Sequence, residues 1–263
     1  MPHTLELLPS QEGIAFDEGE HRYTYQSKHG PVSPASATQV LTVSGGKQFD
    51  VSYWRRSLIT KQGLTAQEAE VFMDKHRNLR ADIGTELHAL IRAELLGLPF
   101  TPPKHAEPLQ LIATWRREFL PRLGKVMLCE QPLCSRWGFY TGTPDLVAEV
   151  DGRLLVVDWK TKVSEAKAKP EASWALQLGG YAQLVEDQYG VQLDGALNVM
   201  IWPGGTADVA YNKADVTQAR GKFNSYLRKH HEIRAAQGCA MHRKALQHLD
   251  SEIACERVFV GVI

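Results

Sequence analysis

The chain has 263 residues, 43% of them hydrophobic, enough for one large domain or a domain with an appendage. Its 30 basic and 30 acidic residues cancel, so no overall field draws it to nucleic acid or to an anionic membrane, and any such binding must be local. Cys129, Cys134, Cys239 and Cys255 form no C-x-x-C pair, and there is neither a basic-then-apolar leader nor a run of about 18 apolar residues. A zinc ribbon, a disulfide framework, secretion and membrane spanning are therefore not expected, and a reducing cytoplasm fits best.

Along the chain, HRYTY alternates as a short strand, and GPVSPAS breaks the chain before ATQVLTV, with Ser36 placed as a helix N-cap. From Thr65 to about Leu96 the pattern is helical, with Ile83, Leu87, Leu90, Ile91 and Leu95 on one stripe and His88 inside it. GLPFTPPKH is a loop by its prolines, and residues 108–120 predict a second helix carrying Leu111, Trp115 and Leu120. A strand over 125–130 leads to the stretch GTPDLVAEVDGRLLVVDWKTK. A helix from about Ala172 to Tyr189, the strands ALNVMIW and ADVAY, and a charged helix from Ala214 to about Gln237 complete the pattern. Without repeats or a convincing linker, residues 1–263 read as one α/β domain, helices packed around a small mixed sheet, with extra helices at its N- and C-terminal ends.

The stretch from Gly142 to Lys162 sets two aspartates and a lysine among apolar runs. Asp151-Gly152 between Val/Leu-rich segments is a strong signal for a two-residue hairpin turn. Counting outward from it pairs Val150 with Arg153 and sets Asp145 opposite Asp158. Lys160, two positions further on, shares their face. Like charges across a strand pair destabilise it, so one of the two aspartates is expected to titrate high, and a divalent cation between them would offset the repulsion. The apolar runs Leu146 to Val150 and Leu154 to Val157 imply a sheet covered on both faces, and charges at one end of such a sheet mark a site.

Pro144-Asp145 followed by Asp158-Trp159-Lys160 resembles the PD-(D/E)XK nuclease superfamily. GTELH (Gly84 to His88) resembles the G-x-x-x-H helix motif of its RecB-like branch, and QLGGY (Gln177 to Tyr181) that branch's Q-x-x-x-Y motif, in the same order along the chain. HRYTY…SPASATQVL is similar to the H-x-Y and S-x-T-x-(I/V)-L segment of phage-type and mitochondrial exonucleases of that branch. The resemblance spans about residues 22–211, leaving about 212–263 as a helical extension. It implies a restriction-endonuclease-like core and a phosphodiesterase using Mg2+, or Mn2+ as substitute, held by His88, Asp145, Asp158 and the Trp159 carbonyl, with Glu130 completing a second metal position. Lys160 would hold the attacking water or stabilise developing charge, with Gln177 and Tyr181, four apart on one helical face, in support. The cysteine spacing does not match the iron–sulfur cluster that some relatives carry, so none is expected.

DNA contacts must come from local patches. The candidates are Arg55 and Arg56 beside Tyr53 and Trp54, then Lys75, Arg77 and Arg80 leading into the His88 helix, and Ser36 and Thr38 as donors to a terminal phosphate. The resulting expectation is a DNA exonuclease of recombination, repair or phage metabolism, with linear DNA as substrate and a single-strand annealing or single-strand-binding protein as partner. The alternatives are a structure-specific or restriction-like endonuclease, or a DNA-binding module on a decayed nuclease fold.

Overall fold

The computed structural model describes residues 3–17, 19–20, 22–27, 30–46, 51–136 and 139–249. His21, which opens HRYTY, and Cys255 lie outside them. In chain order, β1 (Thr4–Leu5), β2 (Ile14–Asp17), β3 (Arg22–Ser27) and β4 (Gly30–Val32) precede the helices α1 (Ala37–Ser44), α2 (Ser52–Gln62), α3 (Ala66–Leu96) and α4 (Glu107–Glu118). Strands β5 (Leu123–Cys129), β6 (Leu133–Cys134), β7 (Thr141–Gly142), β8 (Leu146–Val150) and β9 (Arg153–Thr161) follow. Then come α5 (Ala172–Tyr189), β10 (Gly195–Trp202), β11 (Gly205–Asn212), α6 (Lys213–Ala236) and α7 over residues 240–249.

The helix starts follow from their caps. Ser36 Oγ accepts from the Gln39 amide at 3.1 Å while Gln39 Oε1 accepts from the Ser36 amide at 2.8 Å; Thr65 with Glu68 and Asn212 with Asp215 repeat the reciprocal pattern at α3 and α6. Each such cap stabilises by about 1 kcal/mol and sets the boundary. Helix α2 carries almost no periodic signal, since Leu58 is its one buried residue. Its partner explains it: Leu58 and Trp54 pack on Ala69 and Met73 of α3. Ahead of these helices, β2, β3 and β4 form a separate antiparallel sheet that includes the strand expected at HRYTY.

The main sheet runs β1-β5-β8-β9-β10-β11. Two of its pairings are parallel, β1 with β5 and β9 with β10, and the rest antiparallel. The parallel β9–β10 pair needs a crossover, which α5 supplies. Both faces are covered, as the apolar runs imply. Leu146, Ala148, Leu155 and Val157 pack with Leu87 of α3 and Trp115 of α4; Val147 and Val156 point the other way, toward Leu178 and Val185 of α5 and Phe223 of α6. A Cβ at Gly179 would lie 2.6 Å from the Arg220 amide, so glycine there lets the α5 and α6 backbones meet. Helix α6 and strand β1 are therefore built into the same body, although both lie outside the 22–211 span of the resemblance.

Helices α6 and α7 meet through buried histidines. His230 and His231 are 1% and 2% exposed, and His231 Nδ1 lies 2.6 Å from His242 Nδ1, one ring donating to the other. Burial, followed by the neighbouring His242, holds the His231 pKa down to about 3 and that of His230 to about 4. Above the ordinary value of 6.5 these rings are neutral in both states and add nothing to the pH dependence. Below it the unfolded chain takes up protons that the folded chain refuses, so stability is lost as pH falls toward the folded values. Each linked proton is worth about 1.4 kcal/mol per pH unit. Lowering the pH from about 7 to about 5 is expected to lower Tm, and His231→Gln to lessen that drop. Equal pH slopes in the two proteins would refute the linkage.

Candidate active site

The site starts from the hairpin turn. Asp151 and Gly152 take φ of 51° and 77°, the left-handed pair of a type I′ turn, and Val150 pairs with Arg153 through to Leu146 with Val157. Asp145 stands one step beyond the ladder, at the position facing Asp158, as the counting predicts. Its Oδ2 accepts the Trp159 amide at 2.7 Å, which ties it to β9. Asp145 and Asp158 are 5% and 3% exposed. Lys160 lies on the same face, its Nζ 2.6 Å from Asp158 Oδ2 and 3.3 Å from Gln177 Oε1 of α5. Gln177 Nε2 donates in turn to the Tyr181 hydroxyl at 2.8 Å. Tyr181 can lie there because residue 142 is glycine: a Cβ at that position would come within 2.6 Å of the Tyr181 ring.

His88 enters from α3. Its Nδ1 is 2.9 Å from Glu130 Oε1 and 3.4 Å from Asp145 Oδ1, and one ligand atom from each of His88, Glu130 and Asp145 lies within 4.8 Å of the others. Glu130, just past β5, has φ of 47°. A side-chain-bearing residue in this region is held against a strain of about 1–3 kcal/mol. Here the Glu130 amide donates to the Asp145 carbonyl at 3.1 Å and its carboxylate reaches His88. The sequence reading gave Glu130 a secondary position and Asp158 a primary one. The structure gathers His88 with Glu130 and Asp145, while one oxygen of Asp158 is taken by Lys160 and by Asn198 Nδ2 at 2.8 Å.

Burial opposes a proton on His88, but the Asp145 and Glu130 carboxylates outweigh it and hold its pKa well above the ordinary value. Burial also raises the Asp158 carboxyl, Lys160 lowers it and Asp145 raises it, with a net upward shift. The aspartate expected to titrate high is thus Asp158. Without a metal, the imidazolium and Lys160 offset the acids; with Asp145 buried and His88 and Glu130 partly accessible, the cluster offers carboxylate oxygens and an imidazole nitrogen, a donor set that fits a hard divalent cation. Loading such an ion on His88 must expel the ring proton. His88→Ala is accordingly expected to weaken Mg2+ binding about tenfold or more, with partial recovery in Mn2+ and a flatter pH dependence. An unchanged metal titration would make His88 a packing residue.

The remaining candidates are engaged elsewhere or line a neighbouring cleft. Ser36 is engaged as the α1 cap, and Thr38 lines a cleft of about 680 Å³ together with Arg22, Tyr23, Gln39 and Arg234. Arg55 pairs with Glu70 at 2.8 Å on an exposed surface, next to Tyr53, which is 74% exposed, and to the exposed Arg56. Arg77 pairs with Asp74, and Lys75 is exposed. Arg80 sends one nitrogen to both Glu107 oxygens at 2.7 and 2.8 Å, bracing α3 to α4.

Asn198, Lys162 and Trp174 near the site escaped the sequence reading, and Tyr23, the tyrosine of the H-x-Y segment, was given no role in it. Asn198, fully buried on β10, pairs in register with Asp158; a polar residue inside the apolar run ALNVMIW is the same signal that marked Asp158. Tyr23 of β3 exchanges a hydrogen bond with Thr143 at 2.8 Å, and Glu130 and Asp145 contribute to its raised pKa after burial. Lys162 Nζ sits 4.5 Å from the centre of the Trp174 ring.

A mixed α/β fold with a Pro-Asp, an Asp-x-Lys and a histidine gathered at one end of its central sheet is restriction-endonuclease-like. A profile of the PD-(D/E)XK nuclease superfamily matches residues 105–259, more than half of the chain, and the protein belongs to that superfamily. Its nucleases generally use divalent metals, and membership implies a DNA substrate. The matched span includes α6, which the sequence resemblance had left out, and stops short of α3 with His88. No curated protein sequence matches the chain. A solved structure described as "Crystal structure of SSO0001" is 20% identical over 33% of this chain and 40% of its own, with a TM-score of 0.22, a likeness that carries no argument. Among the described residues, no helix is long and apolar enough to cross a membrane.

Proposed function

We infer that this protein is a Mg2+-dependent DNA exonuclease of the RecB-like, phage-type branch, acting from DNA ends in recombination, repair or phage DNA metabolism. One observation carries the reading: His88, Glu130, Asp145, Asp158 and Lys160 converge at one end of a sheet that is otherwise buried on both faces. The G-x-x-x-H and Q-x-x-x-Y motifs supply His88 and Gln177 to that cluster, in support of the branch. The chain is read as one nuclease unit that works in the cytoplasm, with a single-strand annealing or single-strand-binding protein as partner.

In this reading a phosphodiester resists attack because its oxygens are negative. His88, Glu130, Asp145, Asp158 and the Trp159 carbonyl would hold a divalent metal, which when bound would supply a Lewis acid and lower the pKa of a water. Lys160 Nζ, fixed between Asp158 and Gln177, orients that water or meets the charge developing on the phosphate. Asn198 holds Asp158 in the rotamer that leaves one carboxylate oxygen for the cation. Tyr181 holds Gln177 through its hydroxyl, and Gln177 in turn fixes the ammonium. Thr38, from the Arg22-lined cleft, and Ser36 beside it in sequence serve a terminal phosphate. Arg55 and Arg56 serve the strand beside Tyr53, and Arg80 acts by bracing α3.

The test is digestion of end-labelled linear duplex and single strand in Mg2+, beside a covalently closed, nick-free circle. The expected result is release of nucleotides from one labelled end with the circle left intact. Cutting of the circle would replace the exonuclease reading with an endonuclease, and metal binding without cleavage of any DNA would leave a decayed nuclease fold.

A further inference from the structure

The face of β9 that carries Asp158 and Lys160 does not end at Lys160. The Lys162 amide donates to the Ile201 carbonyl at 2.8 Å, so the backbone stays paired with β10 one residue past the strand and Lys162 remains in phase with 158 and 160. Across from these three, α5 presents Trp174, Gln177 and Tyr181, spaced i, i+3 and i+7 on one stripe. The two stripes meet rung by rung. Lys160 reaches Gln177 at 3.3 Å, and Lys162 lies over Trp174 with its Nζ 4.5 Å from the ring centre. Lys160 Nζ is 5.8 Å from that same ring, so Trp174 spaces the two ammonium groups.

Apart from the Trp174 ring, Lys162 has a weak counter-charge. Its side chain is 16% exposed, and its nearest carboxylate, Glu171, is 3.7 Å away and 51% exposed, a loose pair worth little in water. Burial lowers the Lys162 pKa, and Glu171 does not restore it. The group also stands against the first turn of α5, the helix end that disfavours a cation. An ammonium kept desolvated with so weak a counter-charge is ready for an anion from outside. Two residues of strand advance about 6.6 Å, which carries Lys162 from the phosphate served by Lys160 to the next one along an extended strand.

We propose that Lys162, held on the face of Trp174, binds the substrate phosphate next to the scissile one. This rests on the nuclease reading above. The experiment measures cleavage of three single-stranded oligonucleotides by wild type, Lys162→Gln and Lys162→Arg: one all-phosphate, and two with a charge-free methylphosphonate on either side of the scissile bond. Lys162→Gln is expected to raise KM about tenfold, the worth of one charged contact, with kcat changed about twofold or less. It should also lower the salt slope of log KM by about one, and Lys162→Arg should recover most of the loss. One of the two methylphosphonates should raise KM for wild type and have no further effect on Lys162→Gln. The proposal falls if neither methylphosphonate affects wild type, which needs no folded variant, or if the losses from variant and methylphosphonate add. A wild-type protein that cleaves none of the oligonucleotides in Mg2+ or Mn2+ would instead overturn the nuclease reading, and this assignment with it.

Discussion

Asp158→Asn is expected to lower DNA cleavage at least about a hundredfold, because single losses at a metal-centred hydrolytic site usually cost several kcal/mol of transition-state stabilisation. The geometry gives the change a second effect. Asp158 Oδ2 accepts from Lys160 at 2.6 Å and from Asn198 at 2.8 Å, and an amide can offer one oxygen there but turns its NH2 against a donor if it rotates. The half-buried Lys160 then loses its counter-charge, a defect of about 1–3 kcal/mol. The variant should therefore melt below wild type in EDTA and gain little from Mg2+, whereas wild type gains the binding free energy by linkage. Turnover above about one per cent of wild type, or an equal Mg2+ shift in Tm, would remove Asp158 from the centre.

Lys160→Met is expected to abolish cleavage to a similar extent while keeping the metal, since the ammonium is a partner of Asp158 and not a ligand. The sign of its stability effect follows from Asp158. With Lys160 gone, burial and Asp145 remain, and both raise the Asp158 pKa. A carboxyl with a raised folded pKa leaves the fold unaffected at pH below its unfolded value and weakens it as pH climbs toward the folded value. At neutral pH in EDTA the variant should melt lower than wild type, and Mg2+, by neutralising the unpaired acid, should stabilise it more than it stabilises wild type. Cleavage by Lys160→Met near the wild-type rate would sink the role assigned to the lysine. A lost Mg2+ shift would make Lys160 a group that preforms the metal site.

Much of this was legible in the amino-acid order because the rules involved are local. A two-residue turn at Asp151-Gly152 and a period of two carry Asp145, Asp158 and Lys160 to one face with no knowledge of the rest of the fold. Reciprocal caps at Ser36 and Thr65 start α1 and α3, and a helical period keeps Gln177 and Tyr181 together; apolar runs announced the covered sheet. What only the tertiary structure decided depends on residues that meet across the chain. Parallel pairing of β9 with β10 has no turn to set its register, so Asn198 could not be matched to Asp158 beforehand. The left-handed backbone at Glu130, which swings its carboxylate onto His88, follows from the close of β5 against Asp145, not from any preference of glutamate. Helix α2 exists because α3 covers it, and Arg80 is drawn to Glu107 because α3 and α4 pack side by side. Lys162 meets Trp174 only after the α5 crossover has folded back over the sheet, since contacts between distant segments are set by packing that no short stretch of sequence encodes.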